Sequence, residues 1–388
     1  MFNKSTDELK ALDALHTTTE IKQQPDLWRE TLAIYRENKE RIDTFLDQIK
    51  EQHNQINIIF TGAGTSAFVG ETIQPYLHGK YRNTGISVQS IPTTSIVSNP
   101  EDFLSEEVAT ILVSFARSGN SPESVATVEL AKQIVKDLYQ VTITCNADGE
   151  LAQNAKGDAH NLSLLMPARA NDKGFAMTGA FTAMTLSALL IFDTAADKEA
   201  YAKEIVPLAE EIIARESEIA EVATADFNRI VYLGSGSLEG LSHEASLKLL
   251  ELTAGKIATF FESSLGFRHG PKSIVDDKTA VIVFQSNNEY TRQYDQDILK
   301  EVYHDKITEY VYSVEQGGQS TFEGSSILVE DSDRTLPDAY LALPYIVVAQ
   351  IIALHKAVNI DNGVDNPSPS GTVNRVVQGV IIHDYNRD

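Results

Sequence analysis

An apolar run that ends in a glycine-rich loop and continues as a helix is compatible with few folds, and this chain contains two. Ile56 to Phe60 lead into Gly62, Gly64, Thr65 and Ser66, and then into a helix-like segment through Glu71. A strand feeding such a loop aims backbone amides and hydroxyls at one point, which suits an anion. The pattern returns in Arg229 to Ala245, where Ile230 to Leu233 run into Gly234, Ser235, Gly236 and Ser237. One unit is expected twice.

Around each loop, strands alternate with helices. The first set reads strand Ile56 to Phe60, helix Phe68 to Leu77, strands Ile86 to Ile91 and Ala109 to Phe115, helix Pro122 to Lys136, strands Gln140 to Cys145 and Asn161 to Leu165, and helix Met177 to Phe192. The second reads strand Ile230 to Leu233, helix His243 to Thr253, strand Ala280 to Phe284, helix Arg292 to His304, strands Thr308 to Val314 and Ser326 to Val329, and helix Pro344 to Val358. Ile143 is expected to match Val311, and Ile111 to match Val281. The expected class is α/β, two doubly wound parallel sheets in flavodoxin-like three-layer αβα domains, where ligands sit beyond the C-terminal strand ends. The expected divisions are a helical extension over 1–52 packing on the first domain, domains at 53–200 and 226–365, a connecting helix within 201–225 and a tail over 366–388.

Composition narrows the partners. The 388 residues are 42% hydrophobic, with 32 basic against 55 acidic side chains and a formal charge of -23. That charge repels nucleic acid and anionic lipid, and no basic patch offsets it. The N-terminal helices carry Glu37, Glu40, Asp43 and Asp47, which argues against a helix-turn-helix reader. Cys145 is the only cysteine, a core residue that fits a reducing compartment. No signal peptide opens the chain, and the run Tyr340 to Leu354 is too short to span a bilayer. A cytoplasmic protein with no membrane partner is expected.

Gly62 to Ala67 also fits the loose dinucleotide fingerprint, but the strand Ile86 to Ile91 ends without the acid that would hold a ribose. A second loop, Ser114 to Glu123, favours phosphate instead. Arg117 offers a cationic fork, Ser118 and Ser121 offer hydroxyls, and Pro122 opens a helix whose amides face the loop. Neither loop ends as a nucleotide P-loop does, so a small phosphorylated metabolite fits better. For acid and base work the candidates are Glu244, Lys248 and Glu251, on one helical face, and His269 in a loop before Gly270 and Pro271. From spacing alone the helical charges read first as a solvated pair. Leu247, Leu249, Leu250 and Leu252 favour burial of Glu251. His243 and Glu244 lack the second histidine of a zinc motif, and no metal or cofactor is expected.

Taken together, Gly62 to Ser66, Ala116 to Ser121, Glu244 to Leu252 and Arg268 to Pro271 resemble the sugar isomerase (SIS) fold, duplicated as in the isomerase half of glucosamine-6-phosphate synthase. Glu20 to Pro25 resembles the segment preceding that region, and Asn366 to Val380 resembles the AgaS-type proteins of amino-sugar catabolism. The resemblance covers the whole chain. It implies that Ser66, Ser118 and Ser121 hold a sugar phosphate, and the reading of the two loops adds Gly64, Thr65 and Arg117 to that set. The resemblance makes Glu251 the carboxylate that moves a proton between C2 and C1, with Lys248 beside it and His269 assisting ring opening. It also implies a homodimer in which His269 serves the neighbouring subunit's site. Arg117 replaces a glutamine of the synthase, and the tail offers Arg375 and Gln378 where the synthase has a catalytic lysine. With no glutamine-hydrolysing domain, the resemblance points to release of ammonia from galactosamine 6-phosphate, giving tagatose 6-phosphate. The alternatives are plain tagatose 6-phosphate isomerisation, or a sugar-phosphate sensor with no use for Glu251 and His269.

Overall fold

The computed structural model describes residues 1–386 apart from 331, 333, 372 and 378. The chain divides into two compact units that are not linear stretches. One comprises Leu27–Asn171, Gly179–Lys198 and Val373–Asp388; the other comprises Met1–Asp26, Asp172–Thr178 and Glu199–Thr372.

The first unit is built on β1 (Ile56–Thr61), β2 (Ile86–Ser90), β3 (Ala109–Ala116), β4 (Leu138–Thr144) and β5 (Asn161–Leu165), in the order β2-β1-β3-β4-β5. Every pairing is parallel. All eight residues of central β3 are buried, as a strand covered on both faces must be. The helix Gly179–Phe192 is buried at every position, and its Thr185 hydroxyl is satisfied by the carbonyl of Phe181 at 2.7 Å.

The second unit carries β6 (Arg229–Gly234), β7 (Ala258–Ser263), β8 (Thr279–Phe284), β9 (Val311–Gln316) and β10 (Ser325–Val329), in the order β10-β9-β8-β6-β7. Read from its other edge this is the strand order of the first sheet, again parallel throughout. The registers correct both expected correspondences. With Gly62 matched to Gly234, Ile111 beside Ile58 matches Ala280 beside Ile230, not Val281. Val311, which lies beside Val281, matches Gln140 beside Leu112, not Ile143.

Three further expectations change. β7 was not expected as a strand, because it is a half-exposed sheet edge without a continuous apolar run. The connecting helix runs over Lys198–Ala214 and breaks at Arg215, whose guanidinium pairs with Glu211 and Glu218 and donates to the carbonyl of Leu328. Residues 1–26 group with the second sheet instead of the first: the Met1 ammonium and the Phe2 amide are held by Glu216, and Asp365 accepts from the amides of His16 and Thr17. The helix Asp338–Asn359 is long and apolar enough to cross a membrane, yet nearly all of it is buried within its unit.

Candidate active site

The first cradle follows β1. Gly64 adopts φ 55° and ψ −131°, a conformation costly for any residue with a Cβ, and leaves the helix Thr65–Lys80 without a side-chain cap. A Cβ on Gly62 would lie 2.6 Å from the backbone carbon of Ser66. The two glycines thus set Thr65 and Ser66, both buried, at the positive end of the helix. The loop after neighbouring β3 carries Arg117, Ser118 and Ser121. Gly119 has φ 70°, Asn146 donates to the Ser118 carbonyl at 2.9 Å, and Ser121 stands at the N-terminus of the helix Pro122–Ile134 without capping it. The two groups of candidate residues therefore occupy loops at the C-terminal ends of adjacent parallel strands. Arg117 is buried, and its Nη2 donates to the carbonyl of Arg375 at 2.7 Å, so one guanidinium N–H is committed to the tail. Arg375 also reaches the Asn171 amide oxygen at 3.4 Å; Gln378 lies outside the described residues.

The loop after β6 copies the first cradle's backbone. Gly236 has φ 59° and ψ −120°, and a Cβ on Gly234 would meet the carbonyl of Leu238 at 2.5 Å. Fully buried Leu238 therefore takes the place of Ser66. Into this unit's strand ends projects Asp295, from the helix Glu289–Asp305. Its Oδ1 accepts from Ser235 and Ser264 at 2.6 Å each, and its Oδ2 from the amide of Ser286 at 3.0 Å. Those three donors follow β6, β7 and β8. Burial pushes the Asp295 carboxyl up, and the hydroxyl and amide donors pull it back. The second cradle holds a carboxylate of its own.

The acid and base candidates lie on the helix Ser237–Leu252 of this unit. Lys248 is fully buried and its Nζ is 2.6 Å from Glu251 Oε2 and 3.4 Å from Glu244 Oε1. The expected burial of Glu251 is corrected: its side chain is 24% exposed, whereas Glu244 is fully buried. Leu249 and Leu252 face the core but Leu250 is 40% exposed, so the leucines do not enclose Glu251. One carboxylate anchors the ammonium inside, and the other is presented toward solvent. A carboxylate that is reachable yet held by a fixed cation can accept and return a proton at a defined point. His243 stacks on Phe261 with centroids 3.8 Å apart, a packing role.

His269 ends the short turn Gly266–Arg268, its amide bonded to the Gly266 carbonyl at 2.8 Å and its side chain exposed. Buried Phe267 roots the loop in the core, and Gly270 at φ 121° turns the chain after the histidine. Of the expected residues, the structure brings Lys248 to Glu251 within one unit, and groups Gly64, Thr65, Ser66, Arg117, Ser118 and Ser121 on neighbouring loops of the other. Sequence reasoning missed Asp295, which sits among the solvated acids of a strongly polar helix and has no local pattern to mark it.

A family model described as SIS domain matches residues 52–193. D-galactosamine-6-phosphate deaminase AgaS of Escherichia coli is 42% identical over 371 residues, covering 95% of this chain and 96% of that protein. The protein of the same name from Shewanella sp. strain ANA-3 is 41% identical over 382 residues, covering 98% and 95%. The crystal structure of tagatose-6-phosphate ketose/aldose isomerase from Escherichia coli is similar with a TM-score of 0.87 and 39% identity, covering 96% of this chain and 97% of that one. The chain belongs to the AgaS family of SIS-domain sugar-phosphate enzymes.

Proposed function

We propose that the protein converts galactosamine 6-phosphate and water to tagatose 6-phosphate and ammonia. The observation that carries this reading is identity above 40%, over nearly the whole length, to relatives bearing the deaminase name. The reading assigns one SIS domain to each sheet, at 53–200 and 226–365, and works in the cytoplasm with side chains and water alone. Gly64, Thr65, Ser66, Ser118, Ser121 and Arg117 hold the phosphate through amides, hydroxyls and the guanidinium.

His269 transfers a proton as the sugar ring opens. Glu251 then removes the C2 proton of the open-chain amino aldose while the C1 oxygen is protonated, which gives an enaminol. Returning the proton to C1 leaves an imine at C2, and water hydrolyses it to the ketone and ammonia. Lys248 fixes the direction of the Glu251 carboxylate through the 2.6 Å contact.

The same transfer on a 2-hydroxy aldose gives isomerisation without ammonia, and the name of the Escherichia coli crystal structure favours that second reading. Incubation with galactosamine 6-phosphate, glucosamine 6-phosphate and tagatose 6-phosphate, measuring ammonia and ketose together, separates the two. Ammonia in step with tagatose 6-phosphate is expected. Aldose from tagatose 6-phosphate, with no ammonia from either amino sugar, would establish the second.

A further inference from the structure

Arg268 and Lys272 bracket the exposed His269, and both end on one carboxylate. Arg268 Nε lies 2.6 Å from Glu301 Oε2, and Lys272 Nζ lies 2.5 Å from Glu301 Oε1 and 2.6 Å from Asp305 Oδ2. Glu301 and Asp305 are one turn apart on the helix Glu289–Asp305, whose Ile298, Leu299 and Val302 share a core cluster with Phe267. Phe267 therefore ties the loop to the core just before the histidine, and the Glu301 fork closes it on both sides. A single half-exposed ion pair contributes little to stability. One carboxylate bridging two cations four positions apart restricts the backbone between them instead, and an exposed side chain is aimed by its backbone.

We propose that Glu301 is a positioning residue, which aims His269 by holding the loop from Arg268 to Lys272 against the helix. The inference rests on the role given to His269 above. In Glu301→Ala, kcat/KM for galactosamine 6-phosphate should fall about tenfold, in line with the cost of misplacing a catalytic group. Tm should stay within about 2 °C, as for loss of a surface contact. Amide hydrogen exchange at 268–270 should quicken, and Glu301→Gln, which keeps one neutral acceptor, should lie between. In a His269→Ala background the Glu301→Ala substitution should have no further effect on turnover.

An equal fold loss in both backgrounds overturns the inference, because Glu301 would then act elsewhere. Undiminished turnover in Glu301→Ala also overturns it. If His269→Ala alone keeps wild-type activity, the role of His269 fails first and takes the inference with it, an outcome distinct from the other two.

Discussion

Lys248 is the residue on which the local chemistry turns. A fully buried ammonium is expensive unless paired, and here it lies between a fully buried carboxylate and one that solvent can reach. The arrangement gives Glu251 a fixed direction and leaves it open to solvent. Glu251→Gln should therefore abolish exchange of the substrate C2 proton with solvent deuterium while binding is largely kept. Exchange at a near wild-type rate would remove Glu251 from the mechanism. A second residue prediction concerns Glu20, whose Oε1 accepts from the Lys173 amide at 2.5 Å. Burial first, and then the nearby Asp172 carboxylate, push its carboxyl from 4.5 up to about 7. The fold thus favours the neutral form: this contribution is fully present below about 4.5 and is lost as pH rises through about 7. The shift corresponds to on the order of 3 kcal/mol. Glu20→Gln, neutral at every pH, should gain in urea midpoint relative to wild type from pH 5 to pH 8. Parallel profiles would contradict it.

The second cradle makes the clearest case among the elements. Three strand ends converge on Asp295 as loops of this kind converge on an anion, so the carboxylate contributes to the unit's stability. Asp295→Ala strands buried hydroxyl and amide donors and should cost about 3 kcal/mol or more in urea unfolding. Unchanged stability would mean that water satisfies those donors equally well. Both glycine loops and most strands were legible in the sequence, because a parallel sheet covered on two faces writes its strands as unbroken apolar runs. β7 was not legible, since an edge strand half in solvent carries no such run. Burial of Glu251 was expected and its side chain is 24% exposed, because leucine spacing marks an apolar face but does not say which polar neighbour tertiary packing encloses, and here it encloses Glu244. The polar contacts of Asp295 and Glu301 join residues far apart in sequence and leave no local trace.

At the scale of the whole molecule, one strand order serves two purposes. One copy of the glycine loop ends in Ser66, and the other ends in Leu238 and binds the chain's own carboxylate. The resemblance implies that His269 serves a neighbouring subunit. Mixing Glu251→Gln with His269→Ala proteins should then restore part of the activity, and none would return from freely exchanging subunits if His269 acts within its own chain. The central claim is that this chain releases ammonia by moving a C2 proton to C1. The most direct measurement follows galactosamine 6-phosphate in deuterium oxide, with ammonia and labelled ketose read from one sample. Because the Glu251 side chain is 24% exposed, its proton exchanges with solvent, so the account predicts one ammonia per tagatose 6-phosphate and deuterium at C1. Intact amino sugar with no ammonia, from enzyme that interconverts tagatose 6-phosphate with its aldose, would contradict it.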